Sequence, residues 1–260
     1  MHVVNIFEIC VVKGAALDDK DPRKIFKGRA VLDGSWVKDE NYDVALFNEM
    51  GSSPATMQAG KAVDVFGLQP GYTIEQADAE AAYTQCDLKG IATWVRLPED
   101  RWPPSWFEMK GGKRVPKYYD PVCLLLRALY GHPDAGTYWE QHAEEHLSAV
   151  VFLPIIDWKS SFRHPTLNLM LIVYVDDFKM AGPVANMAEG WKLIRKGITT
   201  GEPEPIGRYL GCEHRMMDAT IPQGSNPCHG DIPEPLPKVK TPKPFSDDEK
   251  VRAMQVKQRA

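Results

Sequence analysis

Asp176 and Asp177 stand side by side between two apolar runs, LMLIVYV (Leu169 to Val175) and FKMA (Phe178 to Ala181), the second closed by Gly182-Pro183. Such a pattern reads as a hairpin with two carboxylates at its tip. Like charges this close raise each other's pKa unless a cation neutralises them. Mg²⁺ suits the task, because it binds through one or two carboxylates and keeps waters and phosphate oxygens as its other ligands. Asp78 is the candidate third carboxylate: it follows a short strand predicted for Thr73 to Ala77 and precedes helix formers at Ala79 to Tyr83, which puts it at a strand end. Three carboxylates on one rim suit two-metal phosphoryl chemistry, in which one ion activates a hydroxyl and the other holds a phosphate chain. Asp is also common in hairpin turns without any chemistry, so the surroundings decide.

A second constellation competes. His142-Ala143-Glu144-Glu145-His146 matches H-x-x-E-H, the zinc motif of inverted metalloproteases, with both histidines on one helix face. It needs a third ligand, for which Glu202, Glu204 and Glu213 are available by position alone. The alternative is the polar face of a helix whose apolar face is Trp139, Ala143, Leu147 and Val150.

The elements that must position these residues follow from patterning. The first seventy residues are turn-rich, with Ile25 to Leu32 a predicted strand and Ser53 to Phe66 a predicted helix, Ser53 as its N-cap and Pro54 at its first position. The Trp139–Val150 helix packs on a sheet whose clearest strand is Leu169 to Val175. Past Met217 the composition changes: seven prolines fall between Pro222 and Pro244, among lysines, so residues 218–260 read as a linker or tail. Ser246 and Glu249 form a capping box for a short terminal helix. The organisation expected is a core over 1–217 and a tail over 218–260.

Composition bounds the partners. The chain has 260 residues, with 43% hydrophobic and 25% charged side chains, ordinary for a globular protein. It carries 31 Lys and Arg against 35 Asp and Glu, so a surface for nucleic acid must come from local clustering, for which Lys110, Lys113, Arg114 and Lys117 are the candidates. Cys10, Cys86, Cys123, Cys212 and Cys228 form no C-x-x-C pair, so neither a zinc knuckle nor a disulfide framework is expected. MHVVNIFEICVV is interrupted by Glu8 and lacks a basic leader, and no apolar run is long enough to span a bilayer. The expectation is no membrane anchor and an intracellular site, cytoplasmic or nuclear. Met1 and the lack of a recognisable later domain lead to the expectation of a stand-alone reading frame.

Five strings then fall in one order: FKGRAV (Phe26 to Val31), EQADAEAAYTQ (Glu75 to Gln85), VCLLLRALYGHPDAGTYWE (Val122 to Glu140), YVDD (Tyr174 to Asp177) and RYLGCEH (Arg208 to His214). From about Lys27 to about Met216 the chain resembles a copia-type retrotransposon reverse transcriptase. The resemblance implies an α+β right-hand polymerase: an antiparallel palm sheet backed by two helices, fingers made of the early segments and the Trp94–Tyr130 insertion, and a thumb absent or partial. It implies an RNA-directed DNA polymerase with Mg²⁺ or Mn²⁺, acting on dNTPs and a primed RNA or DNA template. Asp78, Asp176 and Asp177 match the metal-binding carboxylates. Lys27 and Arg29 match basic residues that hold the triphosphate, and Tyr83 the aromatic that excludes a 2′-hydroxyl. Tyr174 matches the residue beside the primer end, with Tyr209, Leu210 and Gly211 in the primer-grip strand. Asp134-Ala135-Gly136-Thr137 departs from the family's Gln-Ala-Pro-Arg, placing an acid where a nucleotide-contacting Gln is usual. Ribonuclease H, integrase and protease signatures are missing, which also fits a polyprotein fragment or an inactive palm remnant.

Overall fold

The run Leu169 to Val175 lacks the alternation of a half-exposed strand because both of its faces are covered. Leu169, Leu171 and Val173 lie in one core cluster with Phe178, Met180, Trp139 and Trp191, while Ile172 lies in another with Ala181, Ile74, Ala59 and Val63. The computed structural model describes residues 1–21, 24–45, 47, 53–215 and 217. Met1–Arg215 forms one compact unit; the proline-rich segment and the terminal helix expected beyond it lie outside the described residues.

The elements run β1 (His2–Lys13), β2 (Ile25–Leu32), α1 (Met57–Gly67), β3 (Tyr72–Asp78), α2 (Ala82–Gln85), β4 (Thr93–Arg96), β5 (Phe107–Lys110), β6 (Lys113–Pro116), β7 (Val122–Leu124), α3 (Ala135–Ala149), β8 (Leu153–Ile155), β9 (Trp158–His164), β10 (Leu169–Tyr174), β11 (Asp177–Pro183), α4 (Val184–Ile194), β12 (Glu204–Pro205), β13 (Arg208–Tyr209) and β14 (Cys212–Glu213). The protein is a mixed α+β chain with several sheets and four helices among the described residues.

The central sheet has six strands in the order β12-β3-β11-β10-β9-β8, all antiparallel. One face carries α3 and α4 through Trp139, Ala143, Leu147, Met187, Trp191 and Ile194. The other face carries α1 through Ala59 and Val63. Two helices were expected behind this sheet; a third, α1, covers the opposite face. A second sheet of order β2-β1-β4-β7 gathers the early segments with parts of the Trp94–Tyr130 region, β1 pairing antiparallel with β2 and parallel with β4.

Several local expectations shift. The opening MHVVNIFEICVV forms, from His2 onward, most of the twelve-residue strand β1 (His2–Lys13). The predicted Ser53 cap is displaced: α1 begins after Thr56, whose hydroxyl accepts the Ala59 N–H at 3.2 Å. Ser53 is instead drawn away, its N–H donating to Glu140 and its carbonyl accepting from the Ser160 hydroxyl at 2.8 Å. The helix expected at Ala79 to Tyr83 reduces to Ala82–Gln85, because Ala79 continues the sheet as a bridge to Thr200. The buried stripe Trp139, Ala143 and Leu147 falls on α3 as its spacing demands, with Val150 as the C-cap. Among the described residues, no helix is long and apolar enough to cross a membrane.

Candidate active site at the sheet rim

Backbone register assembles the site. In the β3–β11 ladder Asp177 lies directly opposite Asp78, so their Cα atoms are about 4.5–5.5 Å apart. Tyr174 pairs with Asp177 across the β10–β11 hairpin, which leaves Val175 and Asp176 as its two-residue turn. The tip is therefore Val175-Asp176, and Asp177 is already in the strand. Val175 holds a left-handed φ of +58°, a conformation that is costly for a β-branched residue and persists only when its surroundings impose it.

Those surroundings are three hydrogen bonds to three successive carbonyls. The Trp139 indole Nε1–H of α3 donates to the Val175 carbonyl at 2.6 Å. The Ala79 N–H, just past β3, donates to the Asp176 carbonyl at 2.7 Å. The Tyr209 hydroxyl of β13 donates to the Asp177 carbonyl at 3.3 Å. Asp78 is fixed in the same way, its carbonyl accepting the Gly201 N–H at 2.9 Å, while Gln85 ties Glu80 to Thr199 through bonds of 2.7 to 2.9 Å. All of these bonds but the Thr199 N–H to Gln85 Oε1 end on backbone carbonyls, and none of them uses the carboxylates of Asp78 or Asp176. Among the described residues, neither of those two carboxylates forms a salt bridge with Lys or Arg.

Aromatic rings connect this rim to the second sheet. Tyr83 of α2 packs on Tyr130 with centroids 4.7 Å apart, and the Arg29 guanidinium lies 5.1 Å from the Tyr130 centroid. Burial raises the pKa of both phenols, and the negative charge of Asp176 raises each further, while Arg29 pulls Tyr130 back. Arg29 and Asp176 thus act on the Tyr130 phenol with opposite sign. Tyr130 is held by the following turn: its carbonyl accepts the Leu32 N–H at 2.8 Å, and Gly131 has φ +88° with the Leu32 carbonyl oxygen 2.1 Å from where a Cβ would stand. Only glycine fits there. Lys27 is exposed on β2, two residues from Arg29 and so on the same strand face.

RYLGCEH is a hairpin where one strand was expected. Leu210 and Gly211 form its turn with φ of +47° and +81°, between β13 and β14. Tyr209 is buried beneath it, and its phenol is pushed far above the ordinary range, first by burial and then by Asp177, Asp64, Tyr174 and Asp78. Tyr174, Tyr209, Leu210 and Lys179 line a cavity of about 580 Å³ beside the rim.

Other sequence candidates fall elsewhere. Asp134 is the N-cap residue of α3, its N–H donating to His132 Nδ1 at 3.1 Å; burial raises the pKa of Tyr138, and the charge of Asp134 raises it further. His146 of H-x-x-E-H hydrogen-bonds through Nε2 to the Ile194 carbonyl at 2.8 Å, fastening α3 to the end of α4, and Glu145 faces Lys89. His142 packs against Trp139, with centroids 5.9 Å apart. Packing thus engages His146 and Glu145, whereas His142 Nε2 is buried with no hydrogen-bond partner among the described residues. Lys110 and Lys113 flank the Gly111-Gly112 turn of the separate β5–β6 hairpin, with Lys110 paired to Glu108, Arg114 over Phe107 and Lys117 bonded to the Ser105 carbonyl.

Three contributors were not singled out from sequence: Trp139 as the anchor of the tip, Tyr130 as the link to Arg29, and Lys179, which is 2% exposed and paired with Asp64 at 2.6 Å. A lysine inside the apolar run FKMA was the visible signal for the last. Among the described residues, no three His, Cys, Asp or Glu side chains are gathered tightly enough to hold one ion, so the three aspartates meet in backbone position and not around a common point. No protein-family model matches the chain, and no curated protein matches it.

Proposed function

We propose that the chain is the fingers-and-palm part of an RNA-directed DNA polymerase of the copia retrotransposon type, extending a primer 3′ end on an RNA or DNA template with deoxynucleoside triphosphates. The observation that carries this reading is the register of Asp177 opposite Asp78, with Asp176 adjacent at a turn held through its backbone carbonyls. Like charges directly opposite in a sheet repel, and a cationic ligand at the rim would offset that repulsion. Asp78, Asp176 and Asp177 carry the hard carboxylate oxygens that Mg²⁺ or Mn²⁺ takes and would hold the ions by turning their side chains inward from the positions seen here, with the remaining ligands expected from triphosphate and water. When bound, such ions supply charge neutralisation at the attacking hydroxyl and the leaving pyrophosphate.

The chain's own residues supply the rest. Arg29 presents a planar guanidinium, and Lys27 a point charge, to the triphosphate. Arg29 lies over Tyr130, which packs on Tyr83, so a nucleotide lying along these rings has its phosphates near Arg29 and its sugar against the Tyr83 ring. Tyr174, with Tyr209, Leu210 and Gly211, flanks the rim on the side where the primer end would lie. The central sheet then serves as the palm and the β2-β1-β4-β7 sheet as the fingers.

The test is primer extension on poly(rA) with an oligo(dT) primer, comparing the wild type and Asp176→Asn in Mg²⁺ and in Mn²⁺. Metal-dependent extension by the wild type and its loss in the variant are expected. A folded wild type that adds no nucleotide under either metal refutes the reading.

A further inference from the structure

Lys179 sits in β11, two residues after Asp177 and on the same strand face. Its side chain is 2% exposed, its ammonium is 2.6 Å from Asp64 Oδ1 on α1, and it lies 4.9 Å from the centroid of the Tyr209 ring. Tyr209 in turn donates to the Asp177 carbonyl. The second oxygen of Asp64 lies 3.5 Å from His214 Nε2, and the His214 N–H closes the β13–β14 hairpin by donating to the Gly207 carbonyl at 2.8 Å. One carboxylate of α1 therefore grips both the strand that carries Asp177 and the hairpin that carries Tyr209.

Folding alone does not call for this arrangement. With Lys179 at 2% and Asp64 at 29% exposure, the pair loses hydration, mostly at the lysine, that its attraction only partly returns, and apolar replacements of the same size are often as stable. Tyr209 is buried in the α1 cluster, yet a cavity of about 580 Å³ borders it on one side. We propose that Asp64 and Lys179 are positioning residues: they clamp Tyr209 so that its hydroxyl fixes the backbone of Asp177 opposite Asp78. The clamp acts on the rim and touches no substrate. Its kinetic consequence rests on the polymerase reading above, whereas its mechanical consequence does not.

Two variants test it. The double variant Asp64→Asn/Lys179→Met removes both charges together, so no lone buried charge remains, and Tyr209→Phe removes only the hydroxyl. Hydrogen exchange at the Ala79 amide and across residues 174–178 is measured in each, beside the α3 amides, together with kcat and KM for the nucleotide in primer extension. Loss of one hydrogen bond predicts exchange at the rim faster by about tenfold, with α3 unchanged, and kcat lower by about tenfold with KM within twofold. Asp64→Glu, which keeps the charge, should recover most of both. Unchanged rim exchange in both variants overturns the proposal. A rise in KM with unchanged exchange also overturns it, because the residues then contact substrate. Should the wild type extend no primer, the polymerase reading falls and the exchange measurements alone decide the clamp.

Discussion

Trp139→Phe removes one N–H and one fused ring from the centre of the molecule. The indole is 1% exposed and donates at 2.6 Å to the carbonyl of Val175, the residue whose left-handed φ makes the turn before Asp177. Without that donor the carbonyl loses its partner inside the core, at a cost of about 1–3 kcal/mol. The smaller ring leaves a void; complete truncation of a buried Trp costs about 3–5 kcal/mol, and Phe retains more than half of the side chain, so the void adds about 1–2 kcal/mol. The sum, about 2–5 kcal/mol, corresponds to a fall in Tm of roughly 4–20 °C for a chain of this length. Urea denaturation measures it directly. Trp191→Phe is the matched control: Trp191 is 3% exposed and donates to Glu75 Oε2 at 2.7 Å, so it loses similar contacts without touching the turn. Primer extension should slow at least tenfold more in Trp139→Phe than in Trp191→Phe, since about 1.4 kcal/mol of lost turn geometry is tenfold in rate. A loss of under about 1 kcal/mol in Trp139→Phe, or equal slowing in the two variants, refutes the assignment of Trp139 as the turn's anchor.

Gly131→Ala should cost more than about 2 kcal/mol, because it combines a positive φ with a carbonyl oxygen 2.1 Å from the new Cβ. Gly28→Ala, with nothing within 4 Å and no positive φ, should be neutral or mildly stabilising by the same thermal melt. Asp78→Asn should stabilise the metal-free protein by about 0.2–1 kcal/mol, through relief of like charges directly opposite in the sheet. Millimolar Mn²⁺ should raise the Tm of the wild type and leave that of Asp78→Asn unmoved; equal shifts would remove Asp78 from the metal set. His2, His132, His142 and His164 all have pKa values lowered by burial. Their folded values lie below the ordinary 6.5, so the stability they contribute is present above pH 6.5 and lost as pH falls through the folded values. Burial raises Glu140 and works in the opposite direction, but it is one group against four. Stability in urea should therefore fall between pH 7.5 and 5.5, by up to about 1.4 kcal/mol per pH unit for each proton taken up; a flat profile would contradict the burial of these rings.

What the sequence determined by itself was local. Apolar runs bounded by turn residues located β2, β3, β10 and β11 to within a residue or two, and the spacing of Trp139, Ala143 and Leu147 located α3, because periodicity reports which face is buried without needing the partner. The three aspartates were legible as a set because each stands where an apolar run ends. The cap of α1 was misplaced because Ser53 is claimed by Glu140 and Ser160, both far away in sequence. Only the tertiary structure decided which residues meet: that Asp177 faces Asp78 in register, that Trp139, Ala79 and Tyr209 hold three successive carbonyls, that Arg29 lies over Tyr130, and that His146 caps α4. Propensity and periodicity act over a few residues, whereas register and hydrogen bonds between distant segments are selected by the packing of the whole sheet against its helices.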